Sequence, residues 1–266
     1  MIALAAPFGL MIGLIVGTVG GGGAILALPV LVYVLNEPVD PATTASLVVI
    51  AVAASVGAGW LARGRQICWR LALTFSTPAA AGSLAGAIAN KHVSGPTLII
   101  AFVPVMITAA FATWRRAGAS DHPAEDTGDC PRVGPLQIAA AGLGVGLLTG
   151  FFGVGGGFVI VPVLTLGFKL PFRRAVATSL VIITLVGLVG LVGLAVLASH
   201  LTQGAHLVVG ATVALAAATG AGAVLGTLIG GRLPQHVLGR AFSLVVAFVA
   251  TFLLVDTLAF HGPPGG

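Results

Sequence analysis

Residues 13–23 read GLIVGTVGGGG and continue as AILALPVL to Leu31; residues 146–157 read GLLTGFFGVGGG and continue as FVIVPVL to Leu164. Shifting the first stretch by 133 (146 minus 13) lays one on the other without a gap. The same shift carries Pro38 onto Pro171, Ala42 onto Ala175, Ser46 onto Ser179 and Leu47 onto Leu180. Farther along the offset is 140, which places Gly82 on Gly222, Gly86 on Gly226 and Phe102 on Phe242. One register held over this distance is an internal duplication, and it sets the domain plan. Residues 1–114 form the first repeat, 115–134 a hydrophilic linker and 135–266 the second repeat.

Each repeat opens with a Gly-broken apolar segment, about 2–35 and 136–168. Three unbroken apolar segments follow in each, at 43–62, 70–89 and 97–114, then 175–199, 206–229 and 239–258. Stretches of about 18–25 apolar residues are long enough to cross a hydrocarbon core of roughly 30 Å. The chain is 58% hydrophobic and 7% charged, against roughly 25% charged in soluble domains. The fold class expected is an all-α polytopic membrane protein. The N-terminus is apolar from Ile2 onward without a basic leader pattern, so it reads as the first membrane segment rather than a removable signal. Its net charge of +5 is not a nucleic-acid footprint, because no basic run interleaves with aromatics. Cys68 and Cys130 lie in separate loops, and two lone thiols define neither a disulfide framework nor a metal site.

The twelve Lys and Arg residues decide the topology. If all eight apolar segments cross once, Arg63, Arg65, Arg70, Arg115, Arg116 and Arg132 face one side. Lys91, Lys169, Arg173, Arg174, Arg232 and Arg240 then face the other, an even split that breaks the positive-inside rule. If each Gly-broken segment enters and returns, all of them except Lys91 share one side, and Trp60, Trp69 and Trp114 join them. Each repeat then crosses an odd number of times, and the repeats run in opposite directions. The expected architecture is two inverted repeats, each a re-entrant or hairpin Gly-broken segment plus three transmembrane helices. Parity does not separate a short hairpin from two tilted crossings. The dozen or so residues between Gly23 and the turn at Asn36 suit half a membrane and favour the hairpin.

The same breaks are the candidate binding site. Consecutive glycines open backbone conformations closed to other residues. A bare break is tolerated in a membrane only inside protein or at a cavity. Free N–H groups at the start of a half-helix hold anions. Two breaks related by inverted repeats would meet near the midplane. Gly20, Gly21, Gly22 and Gly23 with Gly153, Gly155, Gly156 and Gly157 are therefore taken as a backbone cradle. The Gly82/Gly86 and Gly222/Gly226 pairs read instead as small-residue helix packing. Ser46, within Thr43–Ser46, and its counterparts Thr178 and Ser179 open the next helix. They are either supporting donors to an anion or ordinary helix caps. Arg173 and Arg174 would draw anions to the mouth or anchor the topology. His92, His200, His206 and His236 sit near segment ends, Asp256 lies close to the end of the last segment, and all other acids are in loops. A proton or sodium relay normally shows buried carboxylates, so the pattern points to an anion. No cofactor, metal or catalytic residue is expected.

The doubled Gly-x-x-x-Gly-x-x-Gly-x-Gly-Gly-Gly pattern, its trailing Pro29 and Pro162, and the Ala45-Ser46 and Thr178-Ser179 helix starts resemble the sulfite exporter TauE/SafE family. The resemblance spans nearly the whole chain. It implies a bacterial inner-membrane permease that exports sulfite, an organosulfonate or another small sulfur-containing anion. The copies differ, with Thr18-Val19 where the second has Phe151-Phe152. The reading expected is a secondary transporter, not an enzyme, in which one half rocks against the other around the Gly breaks. The alternative is a passive anion channel for the same substrates. The partners expected are the anion and the lipid bilayer, with no nucleic acid; a homodimer is left open.

Overall fold

The computed structural model describes residues 2–21, 26–27, 30–31, 39–64, 66–90, 95–119, 130–131, 133–152, 157–200 and 209–259. Its regular structure is helical throughout these residues. The first repeat contributes α1 (Ile2–Val19), α2 (Val39–Ala62), α3 (Trp69–Asn90) and α4 (Gly95–Ala119). The second contributes α5 (Pro135–Phe152), a short α6 (Gly157–Pro162) that widens into a π-turn over Val163–Gly167, then α7 (Phe172–His200), α8 (Val209–Arg232) and α9 (Gln235–Ala259). α4 runs past the expected boundary into the linker. There Arg115 stacks its guanidinium over the Phe111 ring, 5.8 Å from its centroid, a pairing that one helical turn brings together.

Six helices among the described residues are long and apolar enough to cross a membrane: Ala45–Ala62, Trp69–Asn90, Pro135–Phe152, Phe172–Val192, Val213–Arg232 and Gln235–Phe252. Their outer faces confirm the solvent. Leu136 is 81% exposed and Phe248 71%, with Ile88, Phe111, Leu244 and Val192 also bare. Water would penalise such a surface, whereas lipid tails match it. The chain is thus a multi-pass membrane protein.

Two close seams organise the bundle. In one, α1 lies along α8: a Cβ on Gly13 would strike the Thr219 carbonyl, one on Gly17 the Ala223 carbonyl, and one on Gly226 the Leu14 carbonyl. In the other, α5 lies along α3: Gly146 meets Ala79, Gly150 meets Ser83, and Gly86 meets the Leu147 carbonyl. These glycines bring backbones together where any side chain would push them apart, so Gly82, Gly86, Gly222 and Gly226 pack helices. In each seam the residue numbers rise together, so the paired helices run the same way. The sequence counterparts (α1 with α5, α3 with α8) take reciprocal partners, and each seam joins one helix from each repeat. α2 packs on its own counterpart α7, and α4 on its counterpart α9.

The side chains of Arg63, Arg70, Arg115, Lys169, Arg173, Arg174, Arg232 and Arg240 all belong to one end of the bundle. That end is tied together by named contacts. Arg173 Nη2–H donates to the Leu233 carbonyl at 2.9 Å. The Phe172 N–H donates to Gln235 Oε1 at 3.2 Å. Arg240 sits 5.8 Å from the centre of the Trp114 ring. We call this the basic face.

One sequence expectation is overturned here. Cys68 and Cys130 are not lone thiols: they form a disulfide, with Cα atoms 5.8 Å apart. Sixty-two positions separate them along the chain. However, α3 leaves the basic face and α4 returns to it, so the two loops end side by side. Spacing in sequence carries no trace of that return.

Candidate functional site

The two Gly breaks meet. A Cβ on Gly21 would coincide with the Gly157 backbone, and a Cβ on Gly157 would strike Gly21 Cα and lie 2.7 Å from Ile183 Cδ1. Both positions are buried. Backbone-to-backbone contact of this kind admits glycine alone. Gly20, with φ of +79°, occupies the left-handed region that other residues enter at a cost. A Cβ there would lie 2.9 Å from Ser179 Oγ and 3.1 Å from Val161 Cγ2. A break in the first repeat therefore touches α6 and α7 of the second.

Ser179 stands seven residues into α7 (179 minus 172), about 10 Å from its start at 1.5 Å per residue. It has 0% exposure, and its hydroxyl donates to the Val176 carbonyl at 2.8 Å. That local bond holds the hydroxyl without consuming a long-range partner, so the oxygen stays at the crossing of the breaks. Ser46, the counterpart on α2, is also buried, at 2% exposure. Thr178 faces elsewhere. Its Oγ1 accepts the Cys68 N–H at 3.2 Å, which ties the loop before α3 to α7. Gly22, Gly23, Gly153, Gly155 and Gly156 lie outside the described residues. Of the expected cradle, Gly20, Gly21, Gly157 and Ser179 converge at one point.

The second break carries features the sequence reading missed. Asn90 Nδ2–H donates to the Phe151 carbonyl at 2.6 Å, capping α5 where the break begins. Phe102 of α4 packs on Phe152 at 4.8 Å between ring centres and on Phe158 at 5.2 Å. Phe151 adds an edge contact to Phe152 at 5.2 Å. Aromatic pairs of this geometry stabilise beyond their burial. The signal was available as the Phe151-Phe152 departure between the repeats.

The atoms nearest to Gly20, Gly21 and Gly157 among the described residues belong to backbone, a hydroxyl and apolar side chains. Among the described residues, no three His, Cys, Asp or Glu side chains gather at one place. The polar groups at hand are backbone N–H groups and hydroxyls. The nearest cations on α7 are Arg173 and Arg174, with Arg174 only 8% exposed. A multi-pass helical bundle whose interrupted helices meet at a buried crossing is the architecture expected of a membrane transporter.

Comparison with known proteins places it more closely. The family model for the sulfite exporter TauE/SafE matches residues 5–253, so the chain belongs to that family. A probable membrane transporter protein of Xylella fastidiosa strain 9a5c is 30% identical over 250 residues, covering 92% of this chain and 91% of the relative. Its counterpart in Xylella fastidiosa strain Temecula1 is 29% identical over 253 residues, covering 92% and 91%. The probable membrane transporter protein YunE of Bacillus subtilis is 30% identical over 200 residues, covering 66% and 72%. No solved structure matches the chain at a significant level.

Proposed function

We propose that this transporter is a secondary carrier for a small sulfur-containing anion such as sulfite or an organosulfonate, exported across the inner membrane. The observation that carries the reading is the crossing itself. Gly21 of one repeat lies on Gly157 of the other, with Ser179 beside Gly20, all buried. Backbone N–H groups at such a break suit an oxyanion, and among the described residues no cluster of acidic side chains stands there to repel it. Sulfite can carry its own proton, so the coupling needs no buried acid.

In this reading the repeats are inverted and the breaks enter from opposite faces. α1 ends beside Gly230, near the basic face, whereas α5 ends beside Asn90 at the other face. By the positive-inside rule the basic face is cytoplasmic. The duplication extends the candidate set: Gly153 and Ser46 are the sequence counterparts of Gly20 and Ser179. Gly22, Gly23, Gly155 and Gly156 would supply further N–H donors. Thr178, whose hydroxyl oxygen is taken by the Cys68 N–H, positions α7 beside the candidate donor Ser179. The sealed crossing supports a carrier that alternates rather than an open channel.

The test is flux in proteoliposomes. Labelled sulfite, sulfate and a sulfonate are offered singly, with and without trans substrate. Saturable flux that accelerates against trans substrate, and that Ser179→Ala reduces at least about tenfold, supports the carrier. Linear flux indifferent to trans substrate, or full activity in Ser179→Ala, refutes it.

A further inference from the structure

We propose that the Cys68–Cys130 disulfide is a reversible modification site, a strap across the base of α7 that intracellular dithiols open. Both half-cystines touch α7. The Cys68 N–H donates to Thr178 Oγ1 at 3.2 Å, and Arg174 Nη1–H points at Cys130 Sγ across 4.0 Å. Residues 174 and 178 are one helical turn apart, on one face. The bond therefore presses along a single stripe of α7, immediately before Ser179. It also joins the loop entering α3 to the chain entering α5. The far end of that same seam is fixed by Asn90 on the Phe151 carbonyl. With the strap closed, α3, α5 and the start of α7 form one body at the basic face. With it open, the Thr178 and Arg174 contacts to the two cysteines no longer belong to one covalent strap, and the start of α7 is held by Phe172 on Gln235 and Arg173 on Leu233.

The location makes the bond conditional. It rests on the cytoplasmic assignment of the basic face, where thiol pools hold cysteines reduced. Cys130 is exposed and Cys68 is 1% exposed, so attack is possible at one sulfur. A reductant thiolate attacks Cys130 Sγ, the S–S bond breaks, and Cys68 leaves as a thiolate and takes up a proton. The second thiol of the same reductant then attacks its own sulfur in the mixed disulfide. The reductant departs as a cyclic disulfide and Cys130 leaves as a thiolate beside the Arg174 guanidinium. Two electrons pass to the protein, and the reverse exchange with a disulfide oxidant restores the strap. Oxidation of the cytosol would thus tie the start of α7, just before Ser179, to the loop entering α3 and the chain entering α5.

The experiment uses the full chain in proteoliposomes, poised with a membrane-impermeant dithiol or with oxidised glutathione. Maleimide–polyethylene glycol labelling counts thiols, hydrogen exchange reports residues 172–179, and sulfite flux reports transport. Reduction is expected to expose two thiols, to speed exchange over 172–179, and to raise flux at least about fivefold, the lower range for coupled sites. Cys130→Ser and, separately, Cys68→Ser are expected to behave as reduced protein under both conditions. Unchanged exchange and flux after both thiols are released overturns the proposal, as does finding both thiols free in the oxidised sample. Redox-dependent exchange without flux of any sulfur anion would sink the transport reading and leave the strap standing.

Discussion

Replacing Gly157 with Ala adds one carbon where the two breaks cross. That carbon would lie 2.7 Å from Ile183 Cδ1, 2.9 Å from the Gly21 carbonyl oxygen, and closer still to Gly21 Cα. Carbon atoms rest at about 3.5–4.0 Å. Ile183 can swing its terminal methyl aside, but Gly21 is backbone and cannot, so the crossing must open by about 1 Å. Overpacking of this kind costs about 1–3 kcal/mol. If the strain falls on the sealed crossing through which substrate passes, flux drops by about 5–150-fold, the equivalent of that energy. Gly144→Ala and Gly59→Ala are the matched controls, since a Cβ at either meets nothing within 4 Å. In a helix interior each should be neutral or stabilising by roughly 0.5–1 kcal/mol. Gly146→Ala is the harder control: it clashes with the Ala79 backbone in the α3–α5 seam, away from the crossing. Melting in detergent and exchange flux per reconstituted molecule are measured together. Gly157→Ala should lose far more flux than its melting shift accounts for, whereas Gly146→Ala should lose both in proportion. Equal behaviour of Gly157→Ala and Gly146→Ala, or wild-type flux in Gly157→Ala, would refute the assignment of the crossing as the site.

Further outcomes are expected elsewhere. Thr178→Val leaves the buried Cys68 N–H without its acceptor, at a cost of about 1–3 kcal/mol; melting should fall while affinity for the anion is kept. Phe102→Ala empties the ring contacts with Phe152 and Phe158, a loss of about 3–5 kcal/mol for a buried Phe. Its effect on the second break should exceed that of Val19→Ala on the first, read as the difference in melting temperature. Ser46→Ala should match Ser179→Ala in flux if the duplicated positions share a role; wild-type flux in Ser46→Ala alone would assign the donor to one repeat.

Much of the helical plan was legible because the duplication is written in glycines, and glycines are demanded where backbones touch. The packing role of Gly82, Gly86, Gly222 and Gly226 and the meeting of Gly21 with Gly157 both follow from that demand. The collection of the described Lys and Arg side chains at one face was legible for a different reason. Charged residues are excluded from the apolar core and must fall at helix ends. The disulfide was not legible, because it depends on where α4 returns the chain, a tertiary fact. The Thr178 contact was hidden for the same reason: its hydroxyl is used by a loop 110 positions away. The Phe102–Phe152–Phe158 cluster was visible only as a departure between repeats, and periodicity arguments discard departures.

The seams constrain how such a carrier can alternate. A rocking of one repeat against the other is the simplest motion that an inverted duplication suggests. Yet α1 and α5 are each locked, backbone against backbone, to a helix of the opposite repeat. Parting the repeats would unzip both seams at once, losing close contacts along several turns in each. For the proposed carrier, the moving bodies expected from these seams are cut across the duplication: α1 with α8, and α3 with α5. Where the two bodies meet, at Gly21 and Gly157, stand the short α6 and the π-helical turn that follows it, a rare geometry frequent at functional sites. Movement concentrated there opens the crossing toward one face while the seams stay closed. A cross-link placed within a seam at positions other than its close-packed glycines should then leave flux near wild type. A cross-link across the crossing, such as Gly20→Cys with Val161→Cys, where a Cβ on Gly20 would lie 3.1 Å from Val161 Cγ2, should stop it. Loss of flux from the seam cross-link alone, in protein that still melts as wild type, would return the motion to the repeats.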